Sequence, residues 1–213
     1  MKQIMASLVF DVGANHGEWS KQNLQAGLAK RIIAVEASPT TFDILRSRIS
    51  SSQIELIHSA VSAKPGVITF YNASAHTLST TNKDWLTSPE SRFCGTKFQE
   101  VTVPTVTLDK MIEVYGQPDL IKIDVEGGEL DAVRSLTQKV HLLCFEWATE
   151  VNPITFQCID YLQSLGFTRF FVQMRDDYTF RPSTQQLSST AEQAKEILSQ
   201  TVPKEDWGMM WCA

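Results

Sequence analysis

The chain has no surplus of positive charge: 19 Lys and Arg stand against 24 Asp and Glu, a formal charge of -5. A protein that follows a phosphate backbone needs the opposite balance, so nucleic acid is a disfavoured partner. Cysteine is sparse, and Cys94, Cys144, Cys158 and Cys212 have no CxxC spacing. Cys144 and Cys158 sit in the apolar contexts of buried thiols, which fits a reducing compartment. Long apolar runs are missing too. The segment Ile4–Phe10 is broken by Asp11 and is too short for a secretory leader core. No later run approaches the ~18 apolar residues of a spanning helix. The expectation is a cytoplasmic protein with no membrane partner; nothing in the sequence bears on its oligomeric state.

What is present is enough to bury a full core. The 213 residues are 43% hydrophobic and 20% charged, the composition of one soluble domain over 1–213. No internal repeat is visible. β-Branched bursts alternate with stretches of helical period: strand Ile4–Val12, helix Trp19–Lys30, strand Arg31–Glu36, then a helix that Ser38 caps and Pro39 opens. Strands follow at Ile54–Ala60 and, after the turn Lys64-Pro65-Gly66, at Val67–Tyr71. Residues 72–100 are rich in Ser, Thr and Asn and show no period, which reads as a lid insertion.

Beyond the insertion the pattern predicts Val101–Thr107, a short helix ending near Gly116, strand Leu120–Val125 and a helix from Gly127-Gly128 through Leu136. Strand Val140–Trp147, a helix from Asn152-Pro153 to Gly166 and strand Thr168–Arg175 come next. Thr190 and Gln193 fit a capping box for helix Ala191–Ser199, and Trp207–Cys212 forms a last strand. Such alternation specifies a doubly wound α/β sheet, whose ligands lie at the carboxyl ends of its strands.

The most informative stretch is Phe10-Asp11-Val12-Gly13-Ala14-Asn15-His16-Gly17, an apolar strand running into a glycine turn. Gly13 and Gly17 could serve only a tight strand-to-helix connection. Glu36 adds weight, because it ends the second strand about 20 residues on, where a carboxylate takes ribose hydroxyls. A dinucleotide fingerprint needs glycine at its second place so that pyrophosphate can touch the backbone, and here Asn15 stands there. Asp11 would also repel a diphosphate by an amount of order several kcal/mol in a partly dry site. A cationic nucleoside fits better. S-adenosylmethionine is one: its ribose suits Glu36, its carboxylate the N–H groups of the turn, and its ammonium and sulfonium Asp11. A purely structural turn or capping role for Asp11 is compatible with this.

A second acidic cluster follows. In Ile121-Lys122-Ile123-Asp124-Val125-Glu126-Gly127-Gly128-Glu129 a strand delivers Asp124 and Glu126 to its carboxyl end, on one face if the extended geometry persists. Glu129 reads as a helix N-terminal acid. Two carboxylates could hold a divalent cation, but no His or third acid at ligand spacing accompanies them, so no metal is expected. Of the histidines, His16 in the turn and His76 in the insertion are candidate bases; His58 and His141 read as structural.

The stretches "DVGANHGEWS", "AVEASPTTFDIL", "TLDKMI" and "PDLIKIDVEGGELDAVRSL" closely resemble the FkbM-type S-adenosylmethionine-dependent methyltransferases over roughly residues 8 to 147. The resemblance implies a class I methyltransferase fold: a mostly parallel, Rossmann-like seven-stranded sheet with an antiparallel last strand. It also implies transfer to oxygen of a sugar, polyketide, peptide or related small-molecule acceptor. Helices often precede the first strand in the family; with the first strand expected to start almost at Met1, the insertion is expected to supply more of the substrate cover.

On the match to "KIDVEG", Asp124 contacts the methionyl ammonium or the incoming nucleophile, with Glu126 assisting. The resemblance places an acid at Glu146 as well. Gly13, Asn15, Gly17, Glu36 and the Ser59-Ala60 edge of the third strand are expected to hold the cofactor with Asp11 and Asp124, while Asp124, Glu126 and Glu146 face the acceptor. Trp147 reads as core or pocket wall. Competing readings are a NAD-dependent oxidoreductase, a nucleoside-binding protein without turnover, and a nucleic-acid methyltransferase. The last lacks the Asn-Pro-Pro-Tyr or Asp-Pro-Pro-Tyr element that grips a flipped base.

Overall fold

The computed structural model describes residues 5–213. Four inner strands, β1 (Val9–Val12), β2 (Ile32–Glu36), β7 (Leu120–Ile123) and β8 (Leu142–Ala148), are buried almost throughout. Covered on both faces, they read as near-continuous apolar runs, as parallel strands must. With β3 (Ile54–His58), β9 (Phe170–Met174) and β10 (Trp207–Cys212) they form a seven-stranded sheet in the order β3-β2-β1-β7-β8-β10-β9. β10 runs antiparallel to both β8 and β9, and the pairings of β1, β2, β3, β7 and β8 with one another are parallel. This is the expected α/β class I methyltransferase topology with its antiparallel last strand.

Helices α1 (Glu18–Gln25) and α2 (Pro39–Arg48) cover one face, where Trp19 and Leu45 pack on Val9, Ala34 and Cys144. α4 (Leu108–Tyr115), α5 (Glu129–Val133), α6 (Asn152–Ser164) and α7 (Ala191–Ser199) cover the other, around Phe10, Ile121, Phe145 and Trp147. Their ends obey local chemistry. The Ser38 side chain accepts from Thr41 N–H, and Thr190 and Gln193 complete a reciprocal capping box. α1 stops early because Gly27 takes a left-handed φ of 68°, and α5 is shorter than the expected run to Leu136. The first strand begins at Val9, with Ala6 in an isolated bridge; Ile4, its expected start, lies outside the described residues.

A second, three-stranded sheet was not legible in the sequence. β4 (Ala60–Val61) leaves the end of β3 and pairs parallel with β6 (Phe98–Val106), which also pairs antiparallel with β5 (Gly66–Ala73). The aperiodic stretch is therefore largely the excursion 74–97 between two long strands. It carries a turn of 3₁₀-helix at His76–Leu78 and α3 (Lys83–Thr87).

Candidate active site

A cavity of about 720 Å³ opens at the carboxyl edge of the main sheet. Gly13, Asn15, Glu36, Ser59, Ala60, Asp124, Glu126 and Glu146, all expected site residues, line it. The turn at its floor is held by contact: Gly13 has φ 78°, and a Cβ there would overlap the Asp124 carbonyl. Gly17, at φ 81°, is not on the cavity. It packs against Leu45 and Ile49 and closes the turn onto α1, so its role is the structural one.

The amides of this turn correct an expectation. Gly13 and Ala14 N–H both donate to the Val35 carbonyl, each at 2.9 Å, and Gly17 N–H donates to Ala14. Asn15 N–H donates to Glu36 Oε2 at 2.9 Å. Four of the five amides from Gly13 to Gly17 are thus satisfied within the protein, which leaves His16 N–H alone in the turn for a diphosphate or for the carboxylate of an amino-acid moiety. Glu36 also accepts from Ser38 N–H at 2.8 Å. Burial raises its pKa to about 7 despite these bonds.

Asp11 is corrected as well. It was expected to face the ligand's positive charge, but it is wholly buried beneath the cavity and does not line it. Its register partner on β7 is Lys122, so both side chains leave the sheet on one face. The Lys122 ammonium lies 3.6 Å from Asp11 and 3.0 Å from Asp124, and Ser20 Oγ donates to Asp11 at 2.6 Å. Burial raises the Asp11 pKa, with Lys122 and Ser20 opposing it. Burial also works against the charge of Lys122, but Asp124, Asp11 and Asp176 outweigh it and hold the ammonium above its ordinary range. The sequence reading missed Lys122; a lysine inside an apolar parallel strand was the signal that a buried acid must face it.

Carboxylate oxygens of Asp124, Glu126 and Glu146 lie within 4.8 Å of one another, so a third acid does join the pair. The inference that none accompanies them fails because Glu146 arrives from the neighbouring strand, which sequence spacing does not register. Burial and then the Asp124 charge push the carboxyls of Glu126 and Glu146 well above their ordinary range. Glu129 turns away: its Oε1 accepts from Val125 and Gly127 N–H at 3.0 and 3.3 Å. Trp147 belongs to the core, its indole donating to the Gln173 carbonyl.

Two further groups complete the walls. His16 and His76 stack at 4.1 Å between ring centroids, and His76 Nδ1 lies 2.9 Å from Asn15 Oδ1, so the excursion reaches back to the glycine turn. Burial and the neighbouring His76 lower the His16 pKa. Asp176, beyond the end of β9, lines the cavity and is pushed up to about 6 by burial against the pull of Lys122. It had no recognisable pattern around it in the sequence.

The sequence profile of the Methyltransferase FkbM domain matches residues 11–169. The chain belongs to the FkbM methyltransferase family. S-adenosylmethionine is the cofactor of this family and of this chain. The cavity suits it: most amides of the turn are already taken, which disfavours pyrophosphate, Glu36 stands at the end of β2, and the opposite wall is anionic. Among solved structures, the methyltransferase FkbM from Methylobacillus flagellatus KT is similar at 13% identity and TM-score 0.56, over 98% of this chain and 44% of that one. This chain therefore spans less than half the length of that protein. Precorrin-6y C5,15-methyltransferase from Geobacter metallireducens GS-15 is similar at 11% identity, with TM-score 0.49, 99% of this chain and 82% of that one. An O-methyltransferase from Bacillus cereus in complex with SAH gives 14% identity and TM-score 0.44, over 97% and 73%. The first likeness concerns the fold alone, and the other two are too distant to add to it. No curated protein matches the chain. Among the described residues, no helix is long and apolar enough to cross a membrane.

Proposed function

We propose that this FkbM-family chain is an O-methyltransferase acting on a hydroxyl of a small polar acceptor such as a sugar, polyketide or peptide. The observation that carries this reading is the convergence of Asp124, Glu126 and Glu146 on one wall of the cavity whose other wall holds Gly13, Asn15 and Glu36. When bound, S-adenosylmethionine supplies a methyl group made electrophilic by its sulfonium charge. Glu36, Asn15 and the Ser59-Ala60 edge would hold the nucleoside end, and Asp124 the ammonium.

The acceptor hydroxyl then lies against Glu126 and Glu146. A carboxylate with raised proton affinity is a competent base near neutral pH, and a positioned base contributes roughly 10²–10⁴-fold. Alignment in a partly closed cavity supplies the larger share, about 7–11 kcal/mol in favourable cases. A carboxylate or phosphate acceptor would have to enter among these acids, while the one lysine on the lining already faces two carboxylates. That favours a neutral hydroxyl. We assign the whole chain to one catalytic domain, with the excursion around residues 72–100 covering the acceptor side, and we assign no nucleic-acid partner.

Transfer of a labelled methyl group from S-adenosylmethionine to a panel of sugars, polyketides, peptides and their carboxylic acids tests this. Label in an alkali-stable ether of a hydroxyl acceptor is expected. Label only in base-labile esters or in nucleic acid would overturn it.

A further inference from the structure

The turn that carries Glu126 is unusual. Glu126 has φ 58° and Gly127 φ 86°, two successive left-handed residues, and a side-chain-bearing residue in that region is strained and persists only where its surroundings hold it. Glu129 fixes the amides of this turn from one side. The excursion between β5 and β6 fixes its carbonyls from the other. Thr80 is wholly buried, its backbone exchanges hydrogen bonds with Tyr71, and its Oγ1 donates to the Glu126 carbonyl at 2.7 Å. The same oxygen accepts from Asn82 N–H at 2.8 Å, and Asn82 Nδ2 donates to the Gly127 carbonyl at 3.2 Å. The Trp85 ring is packed so closely that a Cβ on Gly127 would lie 3.3 Å from it. The far end of the excursion is tied down by Arg92, whose guanidinium meets the buried Glu150 at 2.6 Å.

We propose that Thr80, seconded by Asn82, is a positioning residue: its hydroxyl locks the left-handed turn that brings the Glu126 carboxylate together with Asp124 and Glu146. The excursion then acts as a buttress for the acidic wall. This rests on the reading that the wall faces the acceptor. Thr80 itself does not line the cavity, so its effect passes through Glu126. The groups that face Glu126 are Lys122 of β7, Asp124 just beyond that strand, Glu129 of α5, Glu146 of β8 and the Trp85 indole; burial and the acids raise its proton affinity, and the lysine and indole lower it.

The test is a carboxyl-carbon NMR titration of the full chain labelled in glutamate, with the Glu126 signal assigned by its loss in Glu126→Gln. In the native protein this signal is expected to titrate well above 4.5. Thr80→Val, which keeps the shape and removes the hydroxyl, should lower its midpoint by a pH unit or more as the carboxyl leaves its acidic neighbours, and Thr80→Ser should restore it. If Thr80→Val does not fold, Asn82→Ser, which keeps a capping oxygen but cannot reach Gly127, should move the midpoint in the same direction. Unchanged midpoints in folded Thr80→Val, or in Asn82→Ser in its place, overturn the proposal. Calorimetry with S-adenosylhomocysteine on the same samples separates the two readings. Native protein that ignores it sinks the functional reading, while the titration still decides the role of Thr80.

Discussion

Replacing Lys122 by methionine should be among the most damaging single changes in the sheet. The Lys122 side chain is almost fully buried, 3.6 Å from the wholly buried Asp11 and 3.0 Å from Asp124. At an effective dielectric of about 20 each attraction is worth roughly 5 kcal/mol before desolvation is charged against it. Removing one partner of a buried pair typically costs about 3–5 kcal/mol, because the other charge is stranded. Asp11 can escape by taking a proton, and its pKa is already raised by burial. A folded-state pKa above the unfolded value places the penalty of Lys122→Met at pH above about 4, and it fades as pH falls toward the ordinary Asp range. Urea unfolding of the native protein, Lys122→Met, Asp11→Asn and Asp11→Asn/Lys122→Met at pH 5 and pH 8 measures this. The expected pattern is a loss of about 3–5 kcal/mol at pH 8, a smaller loss at pH 5, and a double variant better than the sum of the singles by about 1–3 kcal/mol. A loss below about 1 kcal/mol, or one that does not change with pH, would refute the coupling of these groups.

Gly13→Ala should destabilise the fold by about 2–4 kcal/mol in the same urea assay, since the φ of 78° and the Asp124 carbonyl both oppose a side chain; a loss under about 1 kcal/mol contradicts the packing described. Glu36 has its pKa raised from 4.5 to about 7, so its contribution to stability is complete below about pH 4.5 and lost as pH rises through 7. That difference is roughly 3 kcal/mol, and a pH series of unfolding curves should be flatter for Glu36→Gln than for the native chain between those limits. Glu126→Gln should lower kcat by about 10²–10⁴ on any acceptor the native protein methylates, with the affinity for S-adenosylhomocysteine held within about threefold; an equal loss in both would assign Glu126 to cofactor binding instead.

Much of the fold was readable because its determinants are local. The capping box at Thr190 and Gln193 and the turn signals around it set α7 and β10 to the residue. The apolar bursts of β1, β2 and β7 require no partner to be recognised. The second sheet escaped because β5 is only partly buried, and its pairing with β6 spans the aperiodic excursion. At the site, Asp124, Glu126 and Glu146 stood out as acids at strand tips. The pairing of Asp11 with Lys122 depends on strand register more than 100 residues apart in sequence, and the clasp of Thr80 on Glu126 joins positions 46 residues apart. Lys122 within an apolar strand signals only that some buried acid faces it, and the clasp of Thr80 leaves no pattern along the chain. Asp11 faces Lys122 and not the ligand, so the refusal of a diphosphate rests on the turn, where four of five amides already have partners.

Calorimetric titration of the full chain with S-adenosylhomocysteine and, separately, with oxidised nicotinamide adenine dinucleotide tests that refusal most directly. One site for the thioether nucleoside, weakened by Glu36→Ala, and no heat from the dinucleotide at millimolar concentration is the result expected. Saturable binding of the dinucleotide with none of the nucleoside would mean that the turn can open its amides to phosphate, contrary to the hydrogen bonds seen at Gly13, Ala14 and Asn15.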